Sequence, residues 1–142
     1  CQSPENTSVA GIQSNNYTLL PVKPLKIVVE AAITATTLYG SASIASNGDL
    51  YVNIAMTNAT TSNLDFKNVT IQVGYQDSVG TGTLFSGVMG SYTVGSYKKV
   101  TANKTFLASG LVAEAQQGKL FYRIIANGGS YTSGEKQLSM AL

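Results

Sequence analysis

Histidine and tryptophan are absent from this 142-residue chain, and cysteine occurs once. Without His, one chain cannot assemble a Ser-His-Asp or Cys-His nucleophile, nor the zinc sites built on His and Cys. A single Cys forbids an internal disulfide. Charge is scarce as well: 11% of residues are Asp, Glu, Lys or Arg, against about 25% in an ordinary soluble domain. The nine basic residues are dispersed, with Lys98-Lys99 the one adjacent pair. A clustered basic face is therefore missing, and no nucleic-acid partner is expected. The best apolar run, 27–35, contains Glu30 and falls short of the roughly 18–20 residues of a membrane helix, so no transmembrane segment is expected.

The seven carboxylates, Glu5, Glu30, Asp49, Asp65, Asp77, Glu114 and Glu135, are well separated along the chain. No local pair suggests acid–base catalysis. Asn47-Gly48-Asp49 lacks the alternating acidic ligands and terminal Glu of a calcium loop. No Gly-rich segment joins a strand to a helix to cradle phosphate. The expectation is a protein that is not an enzyme and holds no cofactor and no metal. Lys26 and Glu30 share a strand phase, which suits either an isopeptide arrangement or an exposed ion pair at a sheet edge.

Ser, Thr and Asn fill the space that charge leaves. Five Asn-x-Ser/Thr triplets begin at Asn6, Asn16, Asn58, Asn68 and Asn103, none with Pro in the middle. Each is an acceptor pattern for N-linked glycan. Chance in so Ser/Thr-rich a chain gives roughly two. A domain poor in charge needs another solubilising coat, and N-linked glycans are expected partners. Asn68 and Asn103 fall on the polar phase of their strands and are expected to face outward. Asn58 falls in a turn-like run, 57–63.

The chain opens at Cys1 rather than Met, as expected of a processed, secreted chain whose targeting peptide has been removed. Cys1 itself fits a lipidated N-terminus, an intermolecular link or a cleavage boundary. Eight tyrosines are present. Tyr51, Tyr92, Tyr97 and Tyr131 suit a sugar-binding face or cross-strand packing.

Residues 1–22 differ from the remainder. They are rich in Ser, Asn and Thr and end in Pro21-Val22-Lys23-Pro24, which disfavours helix. Within them, 8–12 and 17–20 have strand character. Beyond Pro24 the pattern alternates with period two. Ile27, Val29, Ala31 and Ile33 share a face. So do Leu50, Val52, Ile54 and Met56, then Val69, Ile71, Val73 and Tyr75, and finally Leu138, Met140 and Leu142. Asn47-Gly48-Asp49 and Asn127-Gly128-Gly129-Ser130 mark turns. Glycines break the middle into short pieces around Leu84-Phe85 and Tyr92–Val94. A short helix is predicted within 109–118, and 120–126 is predicted to be a central strand. Short strands at this spacing predict an all-β fold, an immunoglobulin-like antiparallel β-sandwich over 23–142. An N-terminal extension strand and hinge over 1–22 precede it.

That extension is surplus to a sandwich. It either folds back on its own domain or adds to a neighbouring subunit, and repeated addition without closure builds a filament. The strand residues offered for donation are Val9, Gly11, Ile12, Tyr17 and Leu19. In being a charge-poor, Ser/Thr/Asn/Tyr-rich β-domain with many sequons and a strand-forming extension before Pro21, the chain resembles archaeal cell-surface filament subunits of the thread type from the Sulfolobus group. The resemblance implies a head-to-tail glycosylated pilus, extracellular, in which identical subunits are joined by donor-strand complementation and serve adhesion. A monomeric lipid-anchored surface domain and a carbohydrate-binding β-sandwich module are the alternatives. An acid habitat suits a chain with few carboxylates to protonate.

Overall fold

The computed structural model describes residues 31–142, which include the compact unit Ala32–Leu142. Cys1, Asn6, Asn16, the strand residues Val9, Gly11, Ile12, Tyr17 and Leu19, and the Lys26–Glu30 pair lie outside the described residues. Within them the chain is an all-β sandwich of two sheets with little helix. The strands are β1 (Thr37–Ile44), β2 (Asp49–Thr57), β3 (Leu64–Tyr75), β4 (Phe85–Val94), β5 (Lys99–Leu107), β6 (Leu120–Ala126), β7 (Tyr131–Thr132), β8 (Lys136–Gln137) and β9 (Ser139–Met140). One sheet has the order β9-β1-β2-β5. The other has the order β4-β3-β6-β7, with β8 also paired to β6.

Period-two alternation builds both inner faces. Leu50, Val52, Ile54 and Met56 are buried along β2, and Val69, Ile71 and Val73 along β3. Burying side chains of this size contributes about 1.5–3 kcal/mol each before entropy is charged. Tyr75 departs from its phase and is exposed at the end of β3. Segment 120–126 is a central strand, as predicted, with Leu120, Tyr122, Ile124 and Ala126 inward. The layers meet closely where side chains are small. A Cβ on Gly40 of β1 would collide with Ile124 of β6.

Several expectations are corrected. Ala31 and Ile33 are not in a strand; the first described strand starts at Thr37. Its sequence, TLYGSASI, carries weak alternation because small residues suffice where the sheets approach. The glycine-broken middle is one ten-residue strand, β4. Gly90, at φ 138°, lies in a β-bulge where β3 and β4 shift register, so glycine bends the strand instead of ending it. The final strand is split. β8 pairs β6, Leu138 turns into the core, and β9 crosses to pair β1 in parallel, so the sandwich is not wholly antiparallel. The predicted helix is a 3-10 turn, Ser109–Leu111, running into a single helical turn, α1 (Val112–Gln116). Asn47-Gly48-Asp49 is the β1–β2 turn, where the Asn47 Oδ1 accepts from the Asp49 N–H at 3.0 Å.

Candidate interaction and glycan sites

The three described sequons fall in three different environments. Asn58, just past the end of β2, is fully buried. Its Nδ2 donates to the carbonyls of Ser62 (2.7 Å), Val94 (2.9 Å) and Gly95 (3.1 Å). Its Oδ1 accepts from the Thr60 N–H (2.9 Å) and hydroxyl (2.6 Å). Nδ2 is the atom a glycan would occupy, and in the folded domain a glycan there would break these bonds. Asn58 is therefore withdrawn from the glycan set. The same Asn-x-Thr spacing that makes a sequon also makes a side-chain-capped turn, and burial decides which one it is.

Asn68 and Asn103 are exposed. Asn68 sits at φ 51°, in the register shift between Phe66 and Val69. Asn is among the few residues that tolerate this conformation. Its N–H donates to the Ser91 hydroxyl and its carbonyl accepts from the Thr70 hydroxyl. Asn103 lies mid-strand in β5, opposite Asn53 of β2.

The four tyrosines do not share a surface. Tyr131 packs on the buried Phe66, with ring centroids 4.9 Å apart. Tyr92 is half-buried and donates to the Met89 carbonyl. Tyr97 is exposed in the β4–β5 turn at φ 53°, and Tyr51 is exposed on β2. A single tyrosine-lined face built on this set is corrected accordingly: their strands and phases scatter them. Tyr39, which the sequence reading passed over, is 56% exposed on β1. The Lys136 ammonium lies 4.1 Å from its ring centroid and donates to the Gly40 carbonyl at 3.0 Å.

The sheet edges differ. On β1, three backbone groups facing away from β2 are taken up. Gly40 accepts from Lys136, the Ala42 N–H donates to the Tyr122 hydroxyl (3.2 Å), and Ile44 accepts from the Ala141 N–H (2.8 Å). Burial raises the Tyr122 pKa above the ordinary 10.0, so the hydroxyl stays protonated. On the opposite side, β4 and β5 are both terminal strands with no further partner among the described residues. Between them the Phe85 and Phe106 rings meet edge-on at 5.9 Å, and a Cβ on Gly87 would come within 2.8 Å of Phe106. The Lys104 ammonium donates to the Val88 carbonyl at 3.3 Å. Leu107 (75% exposed), Val88 (53%) and Leu84 (45%) stand along this side. A groove of about 520 Å³ runs past Leu84, Phe85, Leu107 and Leu111.

Several of the described carboxylates accept from neutral donors. Asp65 accepts from the Thr93 hydroxyl, Glu135 from the Asp77 N–H, and Glu114 from the Tyr75 hydroxyl. The last bond raises the Tyr75 pKa. Among the described residues no three His, Cys, Asp or Glu side chains gather as metal ligands, and no helix is long and apolar enough to cross a membrane.

No family model matches the chain, and no curated protein matches it. Among solved structures, an alkylpurine DNA glycosylase, AlkC of Pseudomonas fluorescens bound to abasic-site DNA, is similar at a TM-score of 0.47 and 10% identity. The match covers 77% of this chain and 32% of the glycosylase, so this chain spans about a third of it. A superoxide reductase from Archaeoglobus fulgidus is similar at a TM-score of 0.34 and 16% identity, covering 78% of this chain and 98% of that one.

Proposed function

We propose that this protein is the structural subunit of an extracellular, glycosylated, thread-type filament, polymerising head-to-tail as its N-terminal strand pairs with a neighbouring copy and serving adhesion. The observation that carries the reading is the flank formed by β4 and β5. Two strands of ten and nine residues end their sheets side by side there, next to exposed Leu84, Val88 and Leu107. A long edge beside apolar side chains is a template for an added strand. The segment 8–20 of a second copy has the length to supply one, with Val9, Gly11, Tyr17 and Leu19 in one strand phase and Ile12 in the other. Burying the three exposed side chains would contribute about 1.5–3 kcal/mol each at most.

The strand order supports an immunoglobulin-like arrangement, with β1-β2-β5 in one layer and β4-β3-β6 in the other. Exposed sequons at Asn68 and Asn103 support a glycosylated surface. Neutral hydrogen-bond partners for Asp65 and Glu114 suit an acidic exterior, because a hydroxyl can serve a protonated carboxyl as well as an ionised one. The test is deletion of residues 1–20, read by negative-stain microscopy. The reading predicts dispersed particles where the full chain forms fibres. Fibres from the truncated chain contradict it.

A further inference from the structure

The outer face of the β9-β1-β2-β5 sheet carries an arrangement that strand addition does not use. The register lays four rows across β1, β2 and β5: Thr37–Thr57–Lys99, Tyr39–Ala55–Thr101, Ser41–Asn53–Asn103 and Ser43–Tyr51–Thr105. Of these twelve residues only Lys99 is charged. The sequon residue Asn103 starts the row whose other members are Asn53 and Ser41. Tyr39 belongs to the row on one side and Tyr51 to the row on the other, both exposed. Small side chains at Ser41 and Ala55 leave a hollow of about 220 Å³, bordered by Tyr39, Asn53, Thr101 and Asn103.

We propose that the glycan carried by Asn103 folds back onto its own sheet, its first neutral pyranose units lying in this hollow between Tyr39 and the Asn103 attachment point. The inference rests on the reading of Asn103 as a glycan acceptor. Three features carry it. The hollow begins at the attachment atom's own residue, so the occupant is tethered and its effective concentration is high, and weak contacts suffice to hold it. The floor and walls offer what a neutral sugar needs. Amide and hydroxyl groups at Asn53, Ser41 and Thr101 match its hydroxyls, and an aromatic ring matches its C–H face. Tyr39 is also held in advance. Lys136 stacks on its ring and is pinned to Gly40, so ordering the ring on contact costs little. A ring this exposed gains nothing in core burial from being held.

The experiment uses the protein glycosylated by its own host. Glycopeptide mass spectrometry first reads occupancy at Asn103; an unmodified Asn103 overturns the inference and leaves strand donation untouched. Thermal melts of the full-length chain are then compared across a cycle. Thr105→Ala removes the sequon while keeping Asn103, and Tyr39→Ala removes the wall. The inference predicts that T105A lowers Tm by roughly 3–6 °C when Tyr39 is present and by about nothing in the Y39A background, with Tyr39→Phe restoring the difference. Equal shifts in both backgrounds, or no shift in either, mean that the glycan stands out in solvent and overturn it. Microscopy of the same samples scores filaments separately, so a chain that docks its glycan without polymerising contradicts the proposed function alone.

Discussion

Along one flank of the sandwich, β1 and β6 approach each other and side chains finish the edge. Lys136 takes the Gly40 carbonyl, Tyr122 takes the Ala42 N–H, and the short β9 covers Ile44. Along the other flank, β4 and β5 stop with no further strand among the described residues, and leucine and valine side chains stand in solvent. Side chains reach three β4 carbonyls, Lys104 at Val88, Tyr92 at Met89 and Asn58 at Val94, while among the described residues no side chain caps the backbone of β5. A capped edge resists pairing, and an uncapped edge beside apolar residues invites it. In the proposed filament the two flanks do different work: the β1 side closes the fold, and the β4–β5 side is where a second copy would add.

The sharpest break of that contrast is Leu107→Lys. It places a charge at a residue 75% exposed, so the fold should lose no more than about 0.5 kcal/mol while fibre formation in microscopy disappears. Fibres formed at the original rate would remove this flank from the account. Next is Asn58→Ala, near the ends of β2 and β4. It leaves the carbonyls of Ser62, Val94 and Gly95 without their donor and should cost about 2–4 kcal/mol in a urea melt. A change below about 0.5 kcal/mol would mean that the buried amide is dispensable.

Tyr122→Phe sharpens the other side, since it uncaps Ala42 while keeping the ring. A loss of about 1 kcal/mol is expected, together with new aggregation read by light scattering if β1 is held back only by its caps. The smallest effect is alkaline. Tyr75 and Tyr122 both have folded pKa values raised above the ordinary 10.0. Their stabilisation is complete below that value and declines as pH rises through the folded values. A melt series should therefore be flat with respect to these groups up to about pH 9 and fall beyond pH 10. Tyr122→Phe should flatten part of that fall.

The alternation of Leu50 to Met56 and of Val69 to Val73 made the core strands legible, because each side chain there reports one face. β1 was not legible, since Gly40, Ala42 and the serines around them carry little hydrophobic signal. Gly40 is small because the layers touch there, and the serines face outward. The split of the last strand was hidden for a related reason. Leu138 is buried in either a continuous or a broken strand, and only pairing to two sheets tells them apart. Sequon spacing identified Asn68 and Asn103 as surface positions through strand phase. At Asn58 it misled, because the spacing that presents an acceptor is also the spacing of a buried turn. The free flank left a trace at Leu84, just before β4, and at Val88 within it, in a stretch whose glycines predict short pieces.

Hydrogen exchange on assembled protein against dilute, unassembled full-length protein tests the central claim most directly. Strand addition at the β4–β5 flank predicts that edge amides within Phe85–Val94 or Lys99–Leu107 become strongly protected on assembly, while those within Thr37–Ala42 do not change. New protection confined to Thr37–Ala42, with β4 and β5 exchanging as before, would contradict it.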